Sequence, residues 1–403
     1  MRGGAPTTLA NVCESVRYGY TASARLDPCG PRFLRITDIV PDALDWESVP
    51  YCEIDDTDRE RFALGVGDIV VARTGATVGY AKLIREPVDA VFASYLVRFR
   101  VNKTKADPTF IGRLVESHVY KSFVKSRIGG AAQPNASAPV LGSFEFVLPP
   151  RPSQTRISSI LSAYDDLIEN NRRRMALLEE AARQLYREWF VRLRFPGHER
   201  TRITNGLPEG WNHKTLAEVC ESIDYGYTAS AEKEEIGPKF LRITDIVPPF
   251  IDWPTVPHCL ISDERFEKFR LCEGDIVVAR TGATVGYAKR LHKRHPETVF
   301  ASYLVRFRIR PEVDNLMMGI LAESDWYKAY VKSRVGGAAQ PNANAKVLGG
   351  AEILVPAPVL QRAFHETVEP LFDQREILQI ENEKLRTARD LLLPRLMSGA
   401  IAV

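Results

Sequence analysis

The chain has 403 residues, of which 45% are hydrophobic and 26% charged, and its formal net charge is +3. This length gives room for two or three domains that each bury a core. With so small a net charge, any affinity for nucleic acid must come from local basic patches. Six cysteines without a C-x-x-C pair or matched histidines argue against a zinc module and a disulfide scaffold. Because no apolar run approaches a membrane span and no signal peptide opens the chain, we expect a cytoplasmic protein.

The sequence contains a tandem duplication. Residues 67–79 read GDIVVARTGATVG, and the same letters return at residues 274–286, an offset of 207. Solenoid repeats have periods of about 20–50 residues, so this period indicates that a whole domain is duplicated. Further matched segments keep the same order in both halves: YGYTASA at 18–24 and 225–231, FLRITDIV at 33–40 and 240–247, FASYLVRFR at 92–100 and 300–308, and GGAAQPN at 129–135 and 336–342.

Each half begins with a region that is rich in β-branched and aromatic residues and interrupted by Gly and Pro. Short strand-like runs such as 68–72 and 95–100 lie between turn signals. Residues 109–127 place apolar side chains at helical spacing and predict a helix. Each region is therefore predicted to be an α+β domain with a largely antiparallel sheet.

A long helix is predicted after each of these regions. Residues 153–192 contain neither Gly nor Pro, and their apolar residues recur alternately every three and four positions, which is a heptad seam. A helix with such a stripe must bury it, so we expect the two helices to pack as an antiparallel coiled coil. The first seam contains Leu161, Tyr164, Ile168, Asn171, Met175, Leu178, Ala182, Leu185 and Trp189, and the second contains Val368, Leu371, Arg375, Leu378, Asn382, Leu385, Arg389, Leu392 and Leu396.

Polar residues leave two questions open in these seams. Asn171 either sets the register of a coiled coil or lies at the exposed edge of the stripe. Arg375 and Arg389 interrupt the second seam, which is then narrower or rotated. The predicted organisation is a first domain at 1–150, a long helix at 151–195, a linker at 196–214, a second domain at 215–357 and a C-terminal long helix at 358–403.

Catalytic motifs are weak in this sequence. The turn at 75–79 lacks the glycine spacing of a dinucleotide site, and no P-loop is present. The tetrad at 247–250, VPPF, is similar to an amino-methyltransferase motif, but Val247 replaces the side chain that would hold the target amine. Carboxylates form no matched pair beside a lysine, and His292 and His295 have no counterparts in the first half. We therefore predict no catalytic residue, no metal and no cofactor.

The two halves do share a set of hydrogen-bond donors. Arginine recognises guanine edges, Asn or Gln recognises adenine, and the remaining cations more often contact phosphate. For any one of these residues, a solvated charge or a local cap is an equally good interpretation, but the duplicated set favours nucleic-acid contact. The predicted DNA-binding residues are Arg73, Thr74, Lys82, Arg98, Arg100, Lys125, Arg127, Gln133 and Asn135, with their counterparts Arg280, Thr281, Lys289, Arg306, Arg308, Lys332, Arg334, Gln340 and Asn342.

Neighbouring residues of these donors admit more than one interpretation. Tyr18 and Tyr225 either contact nucleic acid or pack in the core. Asp38 is interpreted as a residue that orients Arg35, and the same applies to their counterparts in the second half.

Together these segments resemble a type I restriction–modification specificity subunit. The resemblance rests on LRITDI, on GDIVVARTG, on GGAAQPN and on a VLPPxxxQ entry into a long helix at Gln154, which Gln361 mirrors. It implies two target recognition domains, separated by long helices that form an antiparallel coiled coil, and a bipartite double-stranded DNA site with an unspecified spacer. It also implies a chain without activity of its own, on which two methyltransferase subunits dock to modify adenines and which motor-nuclease subunits join. No membrane partner is implied.

One departure from this family pattern yields a further expectation. The two recognition domains are usually dissimilar, whereas here they nearly match, so we expect a near-palindromic target. Three alternatives remain open: a methyltransferase or nuclease in its own right, a specificity module for a fused methyltransferase–nuclease, and a stand-alone DNA-binding regulator.

Overall fold

The computed structural model of the chain describes residues 4–41, 44–128, 134–336, 341–398 and 400–401. It contains two compact units. Unit 1 comprises Met1–Asn170 with Glu381–Val403, and unit 2 comprises Asn171–Ile380. Each unit is described by itself.

Unit 1 contains short strands and helices, including strands at the two predicted runs 68–72 and 95–100. Its strands are β1 (Ala5–Thr8), β2 (Cys13–Tyr18), β3 (Arg32–Leu34), β4 (Asp68–Ala72), β5 (Ala81–Leu83), β6 (Ala90–Phe92), β7 (Leu96–Val101) and β8 (Glu145–Leu148). Its short helices are α1 (Ile36–Ile39), α2 (Asp56–Phe62), α3 (Pro108–Glu116), α4 (His118–Arg127) and α5 (Ala138–Gly142).

The centre of unit 1 is a four-stranded antiparallel sheet of order β2-β7-β4-β5. Strand β4 is buried on both faces because successive side chains point to opposite sides of a strand. Ile69 and Val71 pack in one core with α3 and α4, whereas Val70 and Ala72 pack in a second core with the parallel pair β3-β6. Antiparallel pairing of β1 with β8 joins the two ends of the domain. The predicted α+β architecture with a largely antiparallel sheet is confirmed.

The helix predicted over 109–127 is in fact two helices. Ser117 has extended backbone dihedrals and separates α3 from α4. Its hydroxyl donates to the carbonyl of Leu114 at 2.6 Å and accepts from the amide of Tyr120 at 3.3 Å. Ser117 thus caps the second helix, which redirects the chain without breaking the apolar spacing.

The long helix α6 (Arg151–Tyr186) follows β8, and its last turn continues as a π-helix at Arg187–Val191. Gln154 explains the entry into α6. Its Nε2 donates to the carbonyl of Pro149 at 2.7 Å, and its Oε1 accepts from the amide of Asp107 at 2.7 Å. The side chain therefore joins the beginning of α6 to the segment before α3. A short hairpin of β9 (Ile203–Thr204) and β10 (Leu207–Pro208) lies before the second domain.

Unit 2 repeats the same elements. Its strands are β11 (Asn212–Thr215), β12 (Cys220–Tyr225), β13 (Lys239–Leu241), β14 (Ile276–Ala279), β15 (Ala288–Arg290), β16 (Thr298–Phe300), β17 (Leu304–Ile309) and β18 (Glu352–Val355). Its short helices are α7 (Ile243–Ile246), α8 (Asp263–Phe269), α9 (Asn315–Ala322), α10 (Asp325–Arg334) and α11 (Ala345–Gly349), and the long helix α12 (Pro358–Ser398) follows. The strand order β12-β17-β14-β15 and the pairs β11-β18 and β13-β16 match those of unit 1.

Within unit 1, the first part of α6 packs antiparallel to the last part of α12. Arg389 donates to Asp165 at 2.7 Å, and the Asn382 amide donates to the carbonyl of Ile168 at 3.2 Å. Leu161 and Leu396 share the same hydrophobic core. Residue numbers therefore rise along one helix as they fall along the other.

Within unit 2, the last part of α6 packs in the same sense against the first part of α12. Arg375 donates to Glu179 at 2.7 Å, and the rings of Phe190 and Phe364 lie 4.8 Å apart. Arg375 is buried in an ion pair, so it occupies the seam instead of interrupting it. Asn171 is also buried, which excludes the interpretation that places it at an exposed edge. The long helices fit the predicted coiled coil.

The cysteines pack as single thiols. Cys52, Cys220 and Cys259 are buried and Cys13 is partly buried, all as free thiols. Burial raises the pKa of Cys52 and Cys259 to about 11, so these thiols are poor nucleophiles. In the described part of the chain no helix is long and apolar enough to cross a membrane.

Candidate nucleic-acid interface

In unit 1 the segment after β4 forms a turn that is hydrogen-bonded to a second loop. The amide of Arg73 donates to the carbonyl of Tyr95 at 3.0 Å, and the carbonyl of Arg73 accepts from Ala136 at 2.8 Å. Gly75 donates to Pro134 at 2.9 Å and has a φ of 75°, which lies in the left-handed region that favours glycine. Backbone bonds therefore hold the turn against a loop that is distant in sequence.

The guanidinium of Arg73 is held from two sides. Its Cζ lies 4.7 Å from the centre of the Tyr18 ring, and its Nη2 donates to Oδ1 of Asn135 at 3.2 Å. The Tyr18 hydroxyl accepts from the amide of Ala138 at 2.9 Å, so the ring is itself fixed at the beginning of α5. A cation–π contact and a hydrogen bond together restrict the arginine head. We call Arg73, Tyr18 and Asn135 the Arg–Tyr–Asn group of unit 1.

Unit 2 contains the same group. The Cζ of Arg280 lies 4.8 Å from the centre of the Tyr225 ring, and its Nη2 donates to Oδ1 of Asn342 at 3.1 Å. The Tyr225 hydroxyl accepts from the amide of Ala345 at 2.9 Å. Thr281, like its counterpart Thr74, forms a backbone bridge to the asparagine of its group. Each unit therefore presents a guanidinium beside an exposed amide in the same geometry.

Exposed cations also end one short helix in each unit. Lys125 and Arg127 lie in the last turn of α4, and Lys332 and Arg334 lie in the last turn of α10. A cation in the last turn also interacts favourably with the helix dipole. Their exposure leaves these four side chains accessible to a polyanion.

Two predicted contact residues of unit 1 lie in ion pairs behind this surface. Arg98 is 2% exposed and donates to the carbonyl of Ala63 at 2.6 Å. Arg100 forms a bidentate pair with the buried carboxylate of Asp68, with both bonds at 2.7 Å. Burial, followed by the charge of Arg100, lowers the pKa of Arg98 to about 10, whereas the hydrogen bonds to Asp68 raise the pKa of Arg100. Arg98 is therefore not among the exposed side chains of this surface, because its guanidinium is buried.

Their counterparts in unit 2 are arranged in the same way. Arg306 is 5% exposed and donates to Asp224 at 2.7 Å, and Arg308 forms a bidentate pair with Asp275 at 2.8 and 2.9 Å. The hydrogen bonds that Arg308 donates to Asp275 raise the pKa of Arg308. These arginines join neighbouring strands, and their first role is structural.

The remaining predicted residues are two lysines that differ in their surroundings and two glutamines. Lys289 is buried and bonded to Glu323 at 3.0 Å, whereas Lys82 donates to the carbonyl of Pro41 at 2.7 Å. Gln133 and Gln340 lie outside the described residues.

The supporting role of tyrosine was not derivable from the sequence. Tyr18 and Tyr225 are each 42% exposed, and each holds an arginine 55 positions further along the chain. Recurrence of the tyrosine in both halves was the only signal. The expected role of Asp38 is confirmed, because it accepts from Nε and Nη2 of Arg35 at 3.0 and 2.8 Å.

The fold and the paired groups define a protein with two equivalent surfaces on duplicated α+β domains. Residues 52–180 match the family described as "Type I restriction modification DNA specificity domain". Among curated relatives, the type I restriction enzyme MjaVIII specificity subunit of Methanocaldococcus jannaschii is 24% identical, over 83% of this chain and 79% of the relative. The putative MjaX specificity subunit of the same organism is also 24% identical, over 98% of this chain and 93% of the relative.

A solved structure shares the fold. The crystal structure of a type I restriction–modification system S subunit from M. genitalium covers 98% of this chain and 96% of its own, with a TM-score of 0.52 and 15% identity. The resemblance stated from the sequence is confirmed: the chain is similar to type I restriction–modification specificity subunits.

Proposed function

We propose that this chain binds double-stranded DNA and that each unit recognises one half of a bipartite site. The recognition domains are residues 1–150 and 215–357. The long helices at 151–195 and 358–403, with the linker at 196–214, set the separation of the half-sites. The observation that carries the proposal is the duplicated Arg–Tyr–Asn group, whose three contacts have nearly equal lengths in both units.

The hydrogen bonds within the group indicate which base edge it fits. Bidentate recognition of adenine needs one donor and one acceptor from the asparagine amide. The Oδ1 of Asn135 already accepts from Arg73, so the amide and the guanidinium together present mainly donors. Guanine presents two acceptors, N7 and O6, in the major groove. We infer that each group contacts a guanine edge, with phosphate contacts from the exposed cations of α4 and α10.

Equal groups imply equal half-sites. Two similar domains would recognise the same short sequence, one on each strand, so we infer a near-palindromic target with an unspecified spacer. Sequencing of methylated positions in the host genome tests this directly. We expect one interrupted motif with matching half-sites, each with a guanine. Two unrelated half-sites would contradict the proposal.

The proposed partners follow from the same role. Two methyltransferase subunits dock on the chain and modify adenines at the site, and motor-nuclease subunits join this complex in the cytoplasm. Co-purification with a methyltransferase from the host, together with absence of methyl transfer by the purified chain alone, is the expected result. Tight, sequence-specific binding without any methyltransferase partner would favour a stand-alone regulator. A single partner that combines methyltransferase and nuclease domains would favour the related fused system.

A further inference from the structure

The two units differ in charge at one matched pair of positions in the sheet. In unit 1, Arg17 of β2 lies directly opposite Arg98 of β7. In unit 2 the corresponding pair is Asp224 of β12 and Arg306 of β17. Like charges directly opposite one another on neighbouring strands are destabilising, and opposite charges are stabilising. Unit 1 therefore has the unfavourable pair where unit 2 has the favourable one.

The carboxylate in unit 2 is a well-bonded partner for its buried arginine. Asp224 Oδ2 accepts from Nη2 of Arg306 at 2.7 Å and from the hydroxyl of Ser222 at 2.8 Å. Burial alone would raise the pKa of Asp224, but the hydrogen bonds from Arg306 and Ser222 outweigh it and lower the pKa. The second Nη of Arg306 donates to the backbone carbonyl of Arg270 at 2.8 Å.

The equivalent arginine in unit 1 has the carbonyl partner without the carboxylate. Arg98 donates to Ala63 at 2.6 Å, just as Arg306 donates to Arg270. The position of the acidic partner is occupied by Arg17, whose exposed guanidinium has only donors. Asp68 lies 4.0 Å from Nε of Arg98 but is already engaged by two bonds from its neighbour on β7.

Neighbouring charges strengthen the difference between the units. In unit 1 the charges of Arg100 and Arg17 act on Arg98, and the carboxylate of Asp68 opposes them. The counterparts in unit 2 are two arginines that face two carboxylates, Asp224 and Asp275. Unit 2 has one more cation nearby, Arg270, but it pairs with Glu267 at 3.5 Å. Glu14 contributes negative charge near Arg100 in unit 1, as Glu221 does near Arg308 in unit 2.

We propose that Arg17 and Arg98 form an oxyanion site in unit 1, which binds a phosphate where unit 2 has the carboxylate of Asp224. An ionised oxyanion accepts charge-assisted hydrogen bonds from two guanidinium groups, and planar arginine forks suit phosphate oxygens. The phosphate is a backbone phosphate of DNA, a part of the inference that rests on the proposed function. It reaches the buried Arg98 from the side of Arg17, just as the carboxylate of Asp224, which is 38% exposed, reaches the buried Arg306 in unit 2. Unit 1 then contacts the DNA backbone at a point where unit 2 does not.

The first experiment tests the oxyanion site without DNA. Thermal unfolding of the full chain is measured with inorganic phosphate or chloride at equal ionic strength, for the wild type, Arg17→Asp and Arg17→Gln. We expect phosphate to raise the wild-type unfolding temperature above its value in chloride and to leave both variants unchanged. Arg17→Asp should also be more stable than the wild type in chloride, by about 2–4 °C, because it recreates the ion pair of unit 2. An equal response to phosphate in all three proteins would overturn the site.

The reverse substitution is the matched control. Asp224→Arg converts unit 2 to the arrangement of unit 1, so it should lower the unfolding temperature in chloride and recover part of the loss in phosphate. If Asp224→Arg loses stability equally in both salts, an arginine pair alone does not make the site and the inference fails.

The second experiment tests the source of the phosphate. The affinity of the wild type and Arg17→Gln for a non-specific duplex is measured across salt concentrations. Loss of one phosphate contact should reduce the slope of log K against log salt by about 1 and weaken binding about tenfold at low salt. An unchanged slope, with phosphate-dependent stability intact, would overturn the DNA source while the oxyanion site stands. Failure of the wild type to bind any duplex would instead count against the proposed function.

Discussion

The two units contain the same Arg–Tyr–Asn group and differ in the charged residues near it. Arginine lies 4.7 Å from its tyrosine in unit 1 and 4.8 Å in unit 2. The ion pairs that join the two long helices differ between the units: Asp165 accepts from Arg389 in unit 1, whereas Glu179 accepts from Arg375 in unit 2. A buried ion pair can often be replaced by well-packed hydrophobic residues at little cost in stability. The exposed group tolerates no such exchange if both units contact the same bases.

The largest expected effect concerns the buried carboxylates. Asp68→Asn removes the charge that Arg100 contacts with two bonds and that also lies near Arg98, so unit 1 should lose about 3–5 kcal/mol of unfolding free energy. Asp275→Asn in unit 2 should cost less, because Arg306 retains Asp224. Denaturant unfolding of the two variants gives the comparison. An equal or larger loss of unfolding free energy for Asp275→Asn would contradict the expected difference between the two networks.

Removal of the arginines of the two Arg–Tyr–Asn groups should affect binding but not folding. Arg73→Ala and Arg280→Ala should each weaken specific binding by about 1–3 kcal/mol, and each should relax specificity at one half-site only. Fluorescence anisotropy on target and scrambled duplexes at several salt concentrations separates specific from non-specific binding. Arg61→Ala is the matched control, since Arg61 is an exposed arginine of α2. Equal losses on both duplexes would assign the arginines to phosphate contact.

A smaller effect is expected for the hydroxyl that supports the group. Tyr18→Phe keeps the ring beneath Arg73 and loses the bond from Ala138, so stability should fall by about 0.5–1.5 kcal/mol while specific binding is retained. Tyr18→Ala removes the ring as well and should weaken specific binding. If both variants bind the target like the wild type, the tyrosine does not position the arginine.

The smallest expected difference between the units is in how their stability depends on pH. Burial, followed by the charges of Arg375 and Arg290, lowers the pKa of His292 well below 6.5, whereas Arg85 has the equivalent position in unit 1. The folded state favours the neutral ring, so this stabilisation is present above pH 6.5 and is lost as the pH falls toward the lowered pKa. His292→Gln should therefore flatten the acid decline of the unfolding temperature of unit 2. A decline as steep as that of the wild type would refute this role.

The sequence predicted the domain class and the arginine of the group, and the repeat made this possible. Both halves keep Arg73 and Asn135 with their counterparts, so the residues could be selected before any contact was known. The burial of Arg98 could not be predicted from the sequence, because β7 is buried on both faces and gives no alternation of polar and apolar residues. The partner Asp68 becomes evident only from the register of β4 against β7.

Helix ends show a second limit of sequence interpretation. The apolar spacing over 109–127 continues across Ser117, so periodicity predicts one helix where a serine cap separates two. A capping serine competes locally with the helical backbone, and the packing of both short helices on the sheet decides the outcome.

Tyr18 links the evolution of specificity to the integrity of the fold. Its ring supports Arg73, while its hydroxyl accepts a hydrogen bond from the first residue of α5. A substitution of Tyr18 therefore alters both the position of the arginine and the start of this helix. Asn135, by contrast, is exposed and contributes one side-chain bond to the group. New target preferences should therefore arise first through the asparagine, in one unit at a time, and leave the tyrosine unchanged. Related proteins whose two half-sites differ should therefore carry a changed asparagine beside an unchanged tyrosine.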